Sequence, residues 1–223
     1  GYLWSYIGDR KWVWFDWQKG RSRTGPLDLL QGFTGDYLQS DGYEAYNYVV
    51  DKLHITHLSC WAHARRKFVE AYESGSIQAE PVIQLIAELY KIESEAKENN
   101  LDFSQIKEIR KTKSLSILSQ IKTAIEEISK TALPKAKLGT ACAYTLKRWK
   151  ELSEYCNDGE LQIDNNIVER SIRPVAVGRK NWPFSGSEEG ADFAAAFYSL
   201  IETCKLHKVD PSEYISKVLI YLA

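Results

Sequence analysis

Short runs of aromatic and β-branched residues dominate the first 60 positions of the chain. Two such runs, residues 2–7 and 12–17, are separated by a polar turn, and this pattern predicts a β-hairpin. Further strands are predicted at residues 37–41 and 54–59, with helical pieces between the strands. Strands that alternate with helices favour an α/β sheet over a sandwich of short strands.

The pattern changes near residue 80, where strand signals give way to apolar positions that recur every three or four residues as far as residue 155. This spacing predicts amphipathic helices, interrupted at Pro134. We expect these helices to pack as a small bundle, because their heptads are too short and interrupted for a coiled-coil dimer. The expected division is therefore an α/β core in residues 1–75, an all-helical insertion in 76–158, and C-terminal core helices in 159–223.

Residues 164–174 combine carboxylate, amide and guanidinium side chains on one predicted helix that Pro174 is expected to end or kink. Helical spacing places Val168, Ile172 and Val175 on one apolar face, and it places Asn165, Glu169 and Arg173 together on another face. The ordinary interpretation is a surface helix with Glu/Arg ion pairs. A catalytic role for Glu169 requires a second carboxylate supplied by another part of the chain.

The composition, 44% apolar and 26% charged residues with a net charge of -1, is typical of a globular protein with one sizeable domain or two small ones. No segment has the length and apolar character of a membrane span, and no signal peptide is evident, so a cytoplasmic location without a membrane partner is expected. The near-neutral charge argues against a wholly basic nucleic-acid coat and allows a local basic surface. Four widely spaced cysteines favour reduced thiols over a disulfide framework.

Asp41 ends a predicted strand and is followed by Gly42, a residue free to turn. Taken alone, such an aspartate most often forms a turn or a cap. Together with Glu169 it could instead hold divalent metals, because magnesium takes a few carboxylates plus substrate phosphate oxygens. His57, Cys60 and His63 suggest zinc as another possibility, but a structural zinc site needs four ligands and no further cluster is visible.

The chain contains five longer motifs, which are Leu-Gln-Ser-Asp-Gly-Tyr at 38–43, Cys-Trp-Ala-His-Ala-Arg-Arg-Lys-Phe at 60–68, Asp-Asn-Asn with Glu-Arg at 164–170, Arg-Pro-Val-Ala with Gly-Arg-Lys-Asn-Trp at 173–182, and Ser-Leu-Ile-Glu-Thr at 199–203. By these motifs, which occur in the same order, the chain resembles transposases of the bacterial insertion sequence 66 family over nearly its whole length. The resemblance implies a ribonuclease H-like mixed sheet flanked by helices, with the all-helical insertion before the helix that carries Glu169.

The resemblance also implies a triad of two aspartates and one glutamate, in which Asp41 matches the second acid and Glu169 the third. The first acid of the family lies on a strand just before the segment that matches Gly1. Asp16 lies on the wrong strand to replace it, so the chain is expected to be a fragment that lacks one metal ligand and is inactive alone. The absence of any methionine agrees with a fragment of a longer protein.

The function implied is metal-dependent phosphodiester cleavage and strand transfer at insertion-sequence ends, with two Mg²⁺ ions and Mn²⁺ as a substitute. The implied partners are transposon ends and target DNA, with a dimer on DNA and a cytoplasmic, nucleoid-associated location. Side chains expected to contact DNA are Arg65, Arg66, Arg170, Arg173, Arg179, Lys180 and Trp182. Side chains expected to shape the site are Cys60, His63, Asn165 and Asn166. The alternatives are an inactive DNA-binding or assembly module and a metal-dependent nuclease.

Overall fold

The computed structural model describes residues 1–181 and 185–222, and the chain divides into two compact units. One unit joins residues 1–33 to the segment from residue 166 onward, and the other consists of residues 34–165. Trp182, expected to stack on a DNA base, lies outside the described residues. The predicted mixture of strands and helices is confirmed, while the division into a core and an insertion stays a prediction.

The first unit begins with the predicted β-hairpin, formed by β1 (Tyr2–Gly8) and β2 (Trp12–Gln18). The strands pair antiparallel from Tyr2 opposite Gln18 to Gly8 opposite Trp12. Two of the three loop residues, Asp9 and Arg10, have φ values of 49° and 55°. Two successive left-handed residues give the loop the twist that antiparallel strands need.

Alternate residues of the hairpin face a small apolar core. Val13 and Phe15 are buried there together with Ala195. Partly buried side chains complete this core: Leu3, Ile7, Trp17, Ile172, Val175, Tyr198 and Leu206. The helices of this unit are α1 (Thr24–Leu29), α9 (Asn166–Gly178), α10 (Glu188–Leu206) and α11 (Pro211–Leu222). The helices α9 and α10 therefore hold the hairpin through its apolar face.

Two hydroxyl groups of α10 bind the backbone along the outer edge of β2. Ser199 Oγ accepts the Phe15 N–H at 2.8 Å, and Thr203 Oγ1 accepts the Val13 N–H at 3.0 Å. The Thr203 hydroxyl also donates to the Val13 carbonyl at 3.2 Å. Ser199 and Thr203 lie four residues apart, so one helix face satisfies alternate peptide groups of the strand.

Pro174 does not end its helix, the first of the two outcomes predicted for it, because α9 continues through Pro174 to Gly178. A proline inside a helix removes one backbone hydrogen bond and disfavours the preceding helical residue. Here Ile172 and Val175, on either side of the proline, pack against the hairpin core. Tertiary packing therefore outweighs the local preference of proline.

The second unit contains a short parallel strand pair, β3 (Tyr37–Gln39) and β4 (Thr56–Leu58), connected by α2 (Ala45–Leu53). Both strands are shorter than predicted, and one further bond, from Ser40 N–H to the Leu58 carbonyl, follows at 3.0 Å. Antiparallel and parallel pairing both occur, as in a mixed sheet, but the described strands form two separate two-stranded sheets.

The predicted helical region of the second unit is confirmed. Its helices are α3 (Trp61–Glu73), α4 (Glu80–Glu98), α5 (Phe103–Ile109), α6 (Leu115–Thr131), α7 (Lys137–Lys147) and α8 (Trp149–Ser153), with a π-helical turn at Arg110–Ser114. One apolar core joins β4 and α3 to the later helices through buried Leu58, Trp61, Phe68, Ile86 and Ile121. Over the described parts of the chain, no helix has the length and apolarity required to cross a bilayer.

Candidate active site around Asp41

Asp41 lies two residues beyond β3, on an exposed turn that follows the strand. Its carboxylate Oδ1 accepts the backbone N–H of Tyr43 at 2.9 Å, so the side chain folds over its own turn. Gly42 between them has a φ of 85°, in the left-handed region. The turn therefore presents an exposed carboxylate in a defined orientation.

The space around Gly42 is closed by two side chains from the end of α7 and the residue after it. A Cβ atom on Gly42 would lie 2.5 Å from Arg148 Nε and 2.9 Å from Tyr144 Oη. Distances this short require the neighbouring groups to move. Both the backbone conformation and the close approach thus require glycine at this position.

Tyr144 and Arg148 bind the turn through its backbone. The Tyr144 hydroxyl donates to the Asp41 carbonyl at 3.0 Å, and Arg148 Nη2 donates to the Gly42 carbonyl at 2.6 Å. The guanidinium carbon of Arg148 lies 4.4 Å from the centroid of the Tyr144 ring, and Lys67 Nζ lies 4.8 Å from it. Burial raises the pKa of Tyr144 to about 12, so its hydroxyl remains a donor at neutral pH.

A buried polar chain lies beneath the turn. Ser40 Oγ contacts His57 Nε2 at 2.8 Å and accepts the Gly42 N–H at 3.2 Å. His57 Nδ1 lies 3.7 Å from Glu151 Oε2, which also accepts the hydroxyl of Ser59. Burial lowers the pKa of His57, which favours the neutral imidazole. The ends of β3 and β4 are thus joined through side chains.

Cys60 and Asn165, both expected to shape the site, are brought together. The Cys60 thiol is fully buried at the start of α3 and accepts the Asn165 N–H at 3.5 Å. Burial raises the pKa of Cys60 to about 11, so it is a neutral thiol at physiological pH. His63 is half-buried one turn into α3, and Asn166 begins α9. That these four residues shape a catalytic site stays a prediction.

The segment before Asn165 is fixed by buried polar contacts within the same unit. Arg110 donates to the carbonyls of Tyr155, Asp158 and Leu161 at 2.7–3.0 Å and pairs with Glu93 at 2.6 Å. Near the end of this segment, the Tyr90 hydroxyl donates to Asp164 Oδ2 at 2.8 Å, and burial raises the pKa of Tyr90. The Ile163 carbonyl accepts the Trp61 N–H. A long irregular connection is therefore rigidly attached to the helices around it.

Glu169 occupies the first turn of α9 and is half-buried. Arg170 and Arg173 on the same helix are exposed. Ser171, which lies between them in sequence, faces the hairpin, and its hydroxyl lies 2.9 Å from the hydroxyl of Ser5. The sequence pattern missed Ser171, because a lone serine in a helix carries no signal for such a contact.

Ile172 and Val175 pack on the apolar core and Arg173 is exposed, as predicted. Asn165, expected on the face of Glu169 and Arg173, is instead buried just before the helix begins.

The remaining cations expected to contact DNA are all exposed: Arg65 and Arg66 on α3, and Arg179 and Lys180 after α9. Carboxylate oxygens are the donors that magnesium prefers, so Asp41 and Glu169 fit such an ion chemically. Within residues 1–181 and 185–222, no group of three or more histidine, cysteine, aspartate or glutamate side chains is placed to hold a metal. Asp41 and Glu169 belong to different units, and that they meet stays a prediction.

A family model described as "Transposase IS66 family" matches residues 1–193, which include Asp41, helices α3 to α8 and Glu169. The chain belongs to the IS66 transposase family. Among curated relatives, the uncharacterized protein y4qI of Sinorhizobium fredii is 34% identical over all of the chain, and y4jD of the same organism is 33% identical over 97% of it. The chain spans less than half the length of these relatives, 44% and 45%. No solved structure matches it.

Sequence patterns of this IS66-family chain did not single out Tyr144 and Arg148, which contact the Asp41 turn, or Glu151, which contacts Ser59 and His57 beneath it. One signal was available for Arg148. Buried positions of α7 and α8 recur through Ala141, Thr145 and Leu152, and Arg148 falls where the helical period places a buried residue. A charge at a core position indicates a specific buried partner.

Proposed function

We propose that this chain is the catalytic part of a DNA transposase with a ribonuclease H-like core, which cleaves and joins phosphodiester bonds at the ends of an insertion sequence. The observation that carries the proposal is the Asp41 turn. An exposed carboxylate follows a parallel strand and is held by its own backbone, inside the region that the family match covers. Such strand ends are where α/β proteins place reactive groups.

In this proposal Asp41 and Glu169 hold divalent metal ions, Mg²⁺ or Mn²⁺. Bound metal would stabilise negative charge on the entering and leaving oxygens of the phosphodiester. The family motifs imply a further aspartate on a strand that pairs with β1, N-terminal to Gly1. Because the chain spans less than half the length of its curated relatives, the proposed activity is assigned to the full-length protein.

The protein's own residues position the DNA. Exposed Arg65, Arg66, Arg170, Arg173, Arg179 and Lys180 would neutralise backbone phosphates. Trp182, adjacent to these cations in sequence, would stack on an unpaired base. Cys60, His63, Asn165 and Asn166 would support the carboxylates. Two transposon ends have to be held together, so we propose a dimer on DNA in the cytoplasm, at the nucleoid.

The test uses the full-length protein with DNA that carries the element's ends. Asp41→Asn and Glu169→Gln should each reduce Mg²⁺-dependent cleavage by at least about 100-fold while DNA binding is retained, because each change removes a charge that stabilises the transition state. Matched controls are Asp51→Asn in α2 and Glu189→Gln in the first turn of α10, which should leave cleavage unchanged.

The products separate the alternative functions. Cleavage followed by joining to a target supports a transposase, whereas cleavage without joining supports a metal-dependent nuclease. If the full-length protein binds DNA and neither cuts nor joins it with Mg²⁺ or Mn²⁺, the chain is an assembly module and the proposed activity is wrong. Normal cleavage by Asp41→Asn would contradict the assignment of Asp41.

A further inference from the structure

We propose that Tyr144, Arg148 and Glu151 form a positioning clamp, by which the helical segment at α7 and α8 fixes the direction of the Asp41 carboxylate. The clamp residues belong to a segment, formed by α7, Arg148 and α8, that carries none of the family motifs described above. This inference rests on the proposed function, since it assigns a task to the turn that holds Asp41.

The spacing of the three residues places them together. They occupy positions i, i+4 and i+7, which share one side of a helix. α7 ends at Lys147 and α8 begins at Trp149, with Arg148 between them. One side of this segment therefore carries three polar side chains along its length, directed towards the Asp41 turn and the strand ends below it.

Arg148 acts on the peptide group that orients the carboxylate. The Gly42 carbonyl, which accepts from Arg148, and the Tyr43 N–H, which donates to Asp41 Oδ1, belong to the same peptide group. Because a peptide group is planar, fixing its carbonyl also fixes the direction of its N–H. Arg148 is thereby connected to the Asp41 side chain through one rigid plane.

Tyr144 fixes the preceding peptide group through the Asp41 carbonyl. Its ring also lies against the guanidinium of Arg148, a residue that is only 8% exposed. A buried guanidinium is strongly destabilising unless hydrogen bonds and favourable contacts compensate for its lost hydration. The aromatic ring and the turn carbonyl provide that compensation, so Arg148 has one well-defined position.

Glu151 supports the turn from below, through the ends of both strands. Its carboxylate accepts the Ser59 hydroxyl and faces His57, which contacts Ser40, the residue before Asp41. The Ser59 N–H also donates to the Glu151 carbonyl at 3.2 Å. The helical segment thus holds both the turn itself and the strand end from which it departs.

The experiment compares Tyr144→Phe and Arg148→Met in the full-length protein with Leu138→Ala, a control that removes buried volume from α7 without touching the turn. Amide hydrogen exchange is first measured without metal or DNA. The clamp variants should exchange the amides of residues 42 and 43 at least about tenfold faster, since each loses a hydrogen bond that holds the turn. The control should not change the exchange rates of these two amides relative to the other amides of the unit.

The second measurement is the Mg²⁺ concentration that gives half-maximal cleavage. It should rise about tenfold in Arg148→Met and less in Tyr144→Phe, with unchanged affinity for DNA, because a misdirected carboxylate binds metal less well. If Leu138→Ala, at equal loss of thermal stability, produces the same rise, the residues only stabilise the fold and the clamp is wrong. Unchanged exchange at residues 42 and 43 in both clamp variants also overturns it.

Asp41→Asn separates this inference from the proposed function. If that variant keeps full activity, the assignment of Asp41 fails, while hydrogen exchange still decides whether the clamp holds the turn. If Asp41→Asn is inactive and both clamp variants retain the wild-type exchange rates and Mg²⁺ requirement, the proposed function stands and the clamp fails.

Discussion

Gly42 shows how a single residue determines the geometry of the candidate site. Its φ of 85° is accessible to glycine at little cost, and its missing side chain leaves room for Arg148 and Tyr144. The sequence predicted that glycine would turn the chain after Asp41. It could not predict the second requirement, because the close approach comes from residues more than 100 positions away.

Gly42→Ala should therefore lower the stability of the protein by more than backbone strain alone would. We expect a loss of about 2–3 kcal/mol in the free energy of unfolding, from the left-handed backbone together with displacement of Arg148. Gly75 provides a matched control, since its φ is 96° and no atom lies within 4 Å of the position that a Cβ would occupy there. Gly75→Ala should lose only about 1 kcal/mol. Equal losses in urea denaturation would contradict the close packing around Gly42.

His57 should make the stability of its unit depend on pH. Its pKa is lowered mainly by burial and also by Arg148, while Glu151, Asp41 and Asp51 act in the opposite direction. The folded protein then binds fewer protons than the unfolded chain as the pH falls. The stabilisation by neutral His57 is complete above about pH 6.5 and is lost as the pH falls through the lower, folded-state pKa.

The measurement is the melting temperature between about pH 5 and pH 8. The wild type should lose more stability on acidification than His57→Gln, which cannot titrate at this position. Parallel pH profiles for the two proteins would show that His57 does not contribute to the pH dependence.

At the scale of helices and strands, local patterns predicted most elements of the fold. The alternating aromatic residues of β1 and β2 and the helical periodicity of α4 and α6 were sufficient to assign each element. The end of α9 was not predictable, since packing of Ile172 and Val175 continues the helix past Pro174. Patterns report local preference and burial, whereas contacts such as that between Tyr144 and Asp41 depend on distant parts of the chain.

Arg110 illustrates an element held by one buried charge. Only 2% exposed, it pairs with Glu93 and donates to three carbonyls of the connection between α8 and α9. Arg110→Met should lower the free energy of unfolding by about 3–5 kcal/mol, because Glu93 and the carbonyls lose their shared partner. Denaturant midpoints provide the measurement.

The control for Arg110 is an exposed ion pair on the same helix as Glu93. Lys91 lies 3.9 Å from Glu95 at the surface of α4, and Lys91→Met should change the stability by less than about 0.5 kcal/mol. If the two substitutions lower the free energy of unfolding by similar amounts, the buried contacts of Arg110 stabilise the protein no more than an exposed ion pair does.

At the scale of the whole molecule, the two units present their expected DNA contacts on different helices. The first unit exposes Arg170 and Arg173 on α9, and the second exposes Arg65 and Arg66 on α3. Sequence motifs identified these cations through their resemblance to the IS66 family, and the family match confirms that membership. Composition could not have done so, since the net charge is only -1.

Salt dependence of DNA binding tests whether these cations contact phosphates. Each contact releases counterions and adds about 0.9 to the slope of log K against log salt for duplex DNA. Arg170→Gln and Arg173→Gln should each reduce the slope of the full-length protein by about one, in fluorescence anisotropy titrations at several salt concentrations. Lys217→Gln, which removes an exposed cation paired with Glu213, should leave the slope unchanged. Slopes equal to the wild type in both arginine variants would contradict phosphate contacts by α9.

The two hydroxyls that α10 places along β2 also limit how the hairpin can associate. Ser199 and Thr203 occupy the peptide groups of Phe15 and Val13, so a strand from another molecule would have to displace both side chains to pair there. Open strand edges are the usual starting points for intermolecular β-sheet and aggregation. The helix therefore protects this side of the sheet, and addition of a further strand is directed to the side of β1.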